Sequence, residues 1–198
     1  PPTNANVWDN YNEYDAWAGF LAMLDPDFVA ELQNTTLTVV KSSTDGGSYE
    51  TFTAKMFLAS TTEVGLANEN GIAEGSLLAL FSNNASRIAY PTAECVNSSE
   101  YSNSNFSTSK GWYWWLRTPN SSSASHVRSV YSDGTLSFIS AYDGDYGVRP
   151  LCNLKSSILV SDSPNASGNY EIIYNAAPSA PPSITAPESA YSGQNINI

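Results

Sequence analysis

The sequence predicts an α+β chain in which two short helices precede a small antiparallel sheet, with much irregular structure between. Three observations carry that expectation. Tyr14, Trp17, Leu21 and Leu24 recur at helical spacing, with Ala18 on the same face. Residues 112–117, 127–131 and 135–140 are rich in β-branched and aromatic side chains, and the last two runs flank Ser132-Asp133-Gly134, a hairpin-turn sequence. Residues 82–110 are crowded with Ser and Asn and show little periodicity, as an irregular but packed excursion would.

The elements follow in order. Residues 1–13 are polar, with Pro and Asn, and read as a surface extension. The first helix is expected over residues 14–24. Asp25-Pro26 then restarts the chain, Asp as N-cap and Pro at the first helical position. Phe28, Val29 and Leu32 form one face of this second helix. Residues 35–41 read as a strand, Asp45-Gly46-Gly47 as a turn, and residues 55–59 as a buried strand. Ser60-Thr61-Thr62-Glu63 has capping-box spacing and is expected to open one helical turn. Residues 65–75 read as a loop. Residues 112–117 read as a central strand and residues 148–154 as another. Residues 158–160 and 170–174 are candidate edge strands. The domain is therefore placed at 14–174. A Pro-rich linker follows at 175–183, and 184–198 read as the start of an immunoglobulin-like β-sandwich. The chain opens on Pro1-Pro2-Thr3 and stops in what reads as mid-strand, so a piece of a longer protein is expected.

Composition narrows the function. Charged residues are 14% of the chain and hydrophobic ones 41%, a balance typical of extracellular, strand-rich or virion proteins. The net charge is −11 with only eight Lys and Arg, and these are scattered. A phosphate backbone is gripped by clustered cations, so nucleic acid is not an expected partner, nor is an anionic membrane surface. No apolar run approaches the roughly 18 residues of a span, so no membrane insertion is expected. Cys95 and Cys152 fit no Cys-x-x-Cys or Cys/His metal spacing. Cys152 reads as a small buried hydrophobe, and a Cys95–Cys152 bridge stays open.

The chain is organised around residues 112–150. At one end stands Trp114-Trp115-Leu116-Arg117-Thr118-Pro119, at the other Gly147-Val148-Arg149-Pro150. This pair of blocks resembles the C-terminal half of bacterial and phage C-type-lectin-like domains, within the group that includes formylglycine-generating-enzyme-like folds. It is similar in particular to the variable proteins of diversity-generating retroelements, among them phage tropism determinants and tail receptor-binding proteins. Phe57-Leu58-Ala59-Ser60-Thr61-Thr62-Glu63 matches the same relatives, and the resemblance covers about residues 14–174. It implies a compact, irregular domain whose last hairpin shows its side chains on one open face.

In diversified members those side chains are altered by adenine-specific mutagenesis of Asn-type codons. Such a codon, ending in C and changed at its first two positions, cannot become Lys, Glu, Gln, Met or Trp. Residues 120–146 contain none of the five, although 23 of the chain's 198 residues are of these types and about three would be expected there. The expected ligand-binding face is Asn120, Ser121, Ser122, Ser123, Ser125, His126, Arg128, Ser129, Tyr131, Ser137, Phe138, Ile139, Ser140, Tyr142, Asp143, Asp145 and Tyr146. Its aromatics supply rigid amphipathic area and its serines adaptable hydrogen bonds, the mixture that antibody paratopes use. Trp112, Trp114, Trp115, Leu116 and Val148 are expected in the core. Arg117 and Arg149 lie inside apolar runs, where an unpaired charge is costly, so each is expected to be paired or hydrogen-bonded; Glu63 and Glu94 are the candidate partners by type.

Catalytic chemistry is thin. The sole histidine, His126, lies in the variable-looking hairpin, leaving a Ser-His-Asp arrangement without a stable base. Neither cysteine matches the reactive pair of formylglycine-generating enzymes. Asp143-Gly144-Asp145 offers a partial oxygen cluster, short of the six to eight ligands calcium takes. The expectation is a non-enzymatic domain without cofactor or metal, on a phage tail or bacterial surface protein. Its partner would be a protein or glycan receptor on a bacterial cell, with homo-oligomeric display through the parent protein raising avidity. The alternatives are a structural virion or cell-surface module without a ligand, and a formylglycine-generating-type enzyme.

Overall fold

Asp25 opens the first helix as its chemistry dictates: its Oδ1 accepts from the Asp27 amide at 2.8 Å and the Phe28 amide at 3.3 Å, with Pro26 at the first position. A computed structural model of the chain describes residues 20–101 and 103–173. The N-terminal extension, the start of the first expected helix (14–19), the Pro-rich linker and the immunoglobulin-like segment lie outside these residues. Of that first helix the described part is a 3-10 turn, Leu21–Met23.

The architecture is α+β, with few short helices and several small antiparallel sheets, none of them closed. Helix α1 (Pro26–Glu31) leads into β1 (Thr35–Val40), which pairs in antiparallel register with β2 (Tyr49–Ala54). Strand β3 (Met56–Leu58) pairs with β7 (Pro150–Cys152). Strands β4 (Trp114–Pro119), β5 (His126–Val130) and β6 (Leu136–Ser140) form the largest sheet in that order. The expected central strand is thus terminal in its own sheet. Its outer edge is nevertheless covered: the Trp115 amide donates to Gly147 O at 3.0 Å and the Arg117 amide to Ala59 O at 2.8 Å. The chain divides between Lys155 and Ser156 into two units. In the second, β8 (Leu159–Val160) and β9 (Ile172–Ile173) form a small antiparallel pair.

Two helices stand in the stretch expected to be irregular. Asn83 and Ser86 close a reciprocal capping box on α2 (Asn84–Arg87). The Thr92 hydroxyl caps α3 (Ala93–Ser98) by accepting from the Cys95 amide at 3.1 Å. Strand β2 falls where no element was expected; its Thr and aromatic residues suit a strand, but it is exposed along most of its length and lacks an apolar stripe.

The core gathers Ala59, Val64, Phe81, Trp114, Leu116 and Val130, with Leu136 and Leu151 packed against it. Burial alternates along β4: Trp114, Leu116 and Thr118 point inward, while Trp115 is only half-buried. The expectation that Trp115 and Val148 are core therefore fails. Trp115 lies on the opposite side of the pleat from Trp114, and Val148 is 65% exposed.

A buried polar network ties the core strand to the rest. Arg117 meets Glu63 through two bonds, Nη1–Oε2 at 2.6 Å and Nη2–Oε1 at 2.9 Å. It also donates to Leu58 O and to Glu74 O, both at 2.8 Å. Glu63 closes the expected capping box: its Oε2 accepts from the Ser60 amide at 3.0 Å, and its own amide donates to Ser60 Oγ at 3.1 Å. Beside it Glu74 is wholly buried, its Oε1 accepting from the Val40 amide at 3.1 Å and its Oε2 from the Thr118 hydroxyl. Glu94, the other candidate partner, stands in the first turn of α3 and takes no part.

A second clamp holds the β5–β6 hairpin. Arg87, buried in α2, donates from Nε to Gly134 O at 2.8 Å and from Nη1 to Val64 O at 3.0 Å. Gly134 has φ +84°, and a Cβ there would lie 1.9 Å from Asn84 O. Only glycine satisfies both the left-handed turn and the approach to α2.

Burial, the largest influence on Glu74, raises its carboxyl above the usual glutamate range despite the Thr118, Val40 and Arg117 contacts. Its proton is thus held more tightly in the fold than in the unfolded chain. The stability this contributes is full below the unfolded pKa and is lost as pH rises through the folded one. Glu74→Gln removes the ionisation. Thermal melts from pH 4 to 8 should show wild type losing its advantage over the variant as pH rises, with a slope of at most about 1.4 kcal/mol per pH unit. A gap that does not change with pH contradicts this.

Candidate functional site

The hairpin presents its residues on two faces, because side chains alternate along each strand. The register pairs His126 with Ser140, Arg128 with Phe138 and Val130 with Leu136, so these six share one side. Val130 and Leu136 close the core at one end of it. At the other end Arg128 lies over the Phe138 ring at 5.3 Å, and His126 meets that ring edge-on at 5.5 Å. Arg128 is held by Glu69, whose Oε1 accepts from its Nε at 3.0 Å and from the Ser121 amide at 2.7 Å. Burial pushes the Glu69 carboxyl up, but the Ser121 amide and Arg128 outweigh it and leave the group below the usual range.

The other face carries Trp115, Ser129 and Ser137, extended by Tyr113 and Tyr131. Tyr146 stacks on Tyr113 at 5.0 Å and tilts against Trp115 at 5.1 Å. Tyr131 meets Tyr113 edge-on at 4.6 Å, and Trp112 and Phe106 continue the run. These spacings are those of favourable ring pairs. The Tyr113 phenol is pushed up to about 12, first by its hydrogen bond with Tyr131 and then by burial. Burial likewise raises Tyr146. At neutral pH the Tyr113 and Tyr146 hydroxyls therefore stay protonated on the aromatic wall.

The expected face is thus divided. Tyr131, Phe138 and Tyr142 are 41%, 51% and 76% exposed. Ser122, Ser125 and Tyr142 stand out on the loops, and Ser121, Ser123, Asp143 and Asp145 are partly covered. Ser137 and Ile139 are half-buried beside the ladder, and Ser140 is half-buried across from them. Asn120 and Ser129 do not reach the surface, being 3% and 0% exposed. Asn120 Oδ1 accepts from the Ser122 amide and hydroxyl, both at 2.8 Å, which shapes the loop rather than a ligand site. The Ser129 hydroxyl has no hydrogen-bond partner among the described residues. Sequence reasoning missed Glu69, Tyr113, Trp115 and Phe106. Counting the period-two alternation outward from Trp114 would have found Tyr113 and Trp115.

These groups offer ring faces and hydroxyl hydrogen bonds. His126 Nδ1 lies 2.6 Å from Ser123 Oγ, but among the described residues no third group orients the other ring nitrogen, as a base in a triad requires. Cys95 and Cys152 are both free, Cys95 exposed and Cys152 half-buried, with burial raising the Cys152 thiol. Among the described residues no three His, Cys, Asp or Glu side chains gather as metal ligands would.

Arg149 departs from expectation. Among the described residues it has no carboxylate partner; its guanidinium stacks 5.1 Å from the Phe81 ring and 5.2 Å from Trp114, and its Nη1 is buried with no hydrogen bond to any of them. Burial alone holds its pKa below the usual arginine value.

No curated protein and no solved structure matches the chain. The family model described as Domain of unknown function (DUF6273) matches residues 3–156, well over half of the length, and the chain belongs to that family.

Proposed function

We propose that the chain is a non-enzymatic recognition module of C-type-lectin-like fold. It is carried on a phage tail or a bacterial surface protein and binds a protein or glycan receptor on a bacterial cell. The observation that carries the reading is the exposure of Tyr131, Phe138 and Tyr142 on a hairpin clamped by Arg87 and Gly134. Large aromatics on a rigid support bind with little entropy loss. The two motif blocks support the fold assignment by lying side by side, with Gly147 bonded to both Tyr113 and Trp115.

The hairpin is a diversified surface in this reading, and its exposed positions are the ones that vary. Asn120 and Ser129 belong to the support, since a buried side chain cannot touch a receptor. Sequencing the surrounding locus tests this. A near-copy of the segment encoding residues 112–150 is expected beside a reverse transcriptase gene, with adenines at the differing positions. No copy, or mismatches that ignore adenines, ends the diversification reading.

The binding claim is tested separately. Labelled wild-type chain should stain some strains of a bacterial panel. The combined Tyr131→Ala, Phe138→Ala and Tyr142→Ala variant should lose at least about a hundredfold in binding, as removal of several hot-spot aromatics does. Its stability should fall by no more than about 2 kcal/mol, the Tyr113–Tyr131 contact included. A larger loss means these rings are structural. Unchanged staining favours a module without a ligand on this face.

A further inference from the structure

Arg149 is the basic residue left unsatisfied among the described residues. The chain has eight Lys and Arg against nineteen Asp and Glu. Arg117 and Arg128 each hold a carboxylate, and Arg87 reaches three oxygens. The four lysines each meet a carboxylate, carbonyl or amide oxygen. Arg149 makes no hydrogen bond or ion pair with any described residue. A guanidinium does not shed its proton at working pH, so its desolvation stays uncompensated except by the two rings beneath it.

The surroundings show what completes it. Arg149 lines a groove of about 500 Å³ together with Tyr90, Phe106, Trp112, Trp114 and Val148. Tyr90 and Val148 are 57% and 65% exposed there, unusual for an aromatic and a β-branched residue so close to the core. The volume falls in the range of small-molecule sites, which pair apolar walls with a few fixed polar groups. Nη1 is buried without a hydrogen bond among the described residues, and the Nε–Nη2 edge of a guanidinium grips a carboxylate through two parallel bonds.

We propose that this groove binds an aryl carboxylate, its carboxylate against Arg149 and its ring against the aromatic and Val148 walls. An unpaired cation in a chain of net charge −11 selects an anionic head. The exposed apolar lining selects a flat, apolar body. The groove shares no residue with the exposed hairpin positions Tyr131, Phe138 and Tyr142, so the two readings stand or fall apart.

The test uses the full chain with phenylacetate and indole-3-acetate, each against its amide, by calorimetry or ligand-observed NMR at fixed ionic strength. The acids should bind at least tenfold more tightly than the amides. Arg149→Met, which keeps the stem on the rings, should abolish that preference, and Arg149→Lys should retain part of it. The triple hairpin variant should bind the acids as wild type does. Equal binding of acid and amide to wild type, binding of neither, or an acid preference that survives Arg149→Met each overturns the proposal. The acid–amide comparison is made on wild type, so it does not depend on any variant folding.

Discussion

Arg117 is 7% exposed and Glu63 9%, yet both are charged side chains. Taking the pair out of water costs several kcal/mol per ion, a cost offset only when every donor and lone pair is engaged. Here nearly all are. Arg117 reaches Glu63 twice and the carbonyls of Thr38, Leu58 and Glu74 besides, while the Ser60 amide donates to a further lone pair of Glu63. The oxygens come from β1, the end of β3, the capping turn after it and the loop before Gly75, so one guanidinium gathers four segments onto β4. Glu74 makes a second tie to β1 through Val40. Much of this domain is irregular, and helices of four to six residues are too short to be stable alone. The polar network supplies the definition that long elements supply elsewhere.

This arrangement separates support from display. The clamps at Arg117 and Arg87 lie in or beside the core, and the residues they fix are small or invariant in chemistry: a turn glycine, backbone carbonyls, a capping serine. The hairpin surface beyond them carries rings and hydroxyls whose loss leaves those bonds intact. The diversified surface we propose would need such a base, because loops positioned by a rigid scaffold vary without unfolding it. The aromatic ladder from Phe106 to Tyr146 joins the two regions, running from buried Trp112 to exposed Tyr131 and held by ring contacts rather than by the charged network.

What the sequence made legible was local. Asp25-Pro26 opened α1, Ser60 and Glu63 closed their box, and Ser132-Asp133-Gly134 turned the hairpin, because each rests on residues a few positions apart. The Glu63–Arg117 pair, 54 residues apart, was one of two options by residue type, and only the fold selected it. Glu69 and Arg128, separated by 59 residues, left no trace in the sequence. Helices α2 and α3 were hidden by their length: four and six residues hold too little periodicity to stand out, although their caps at Asn83 and Thr92 are ordinary. Treating the hairpin as one face ignored the pleat, which buries Ser129 while exposing Phe138. Arg149 was misjudged because an apolar neighbourhood argues for a partner only if the charge must be satisfied within the chain.

The fold depends most on Arg117, and equilibrium unfolding of Arg117→Met tests that dependence most directly. Removing one member of a buried, fully bonded pair should lower stability by about 3–5 kcal/mol, since Glu63 is left buried and uncompensated. A loss below about 1 kcal/mol, the size of an exposed ion pair, would mean that the network does not hold β4 in place.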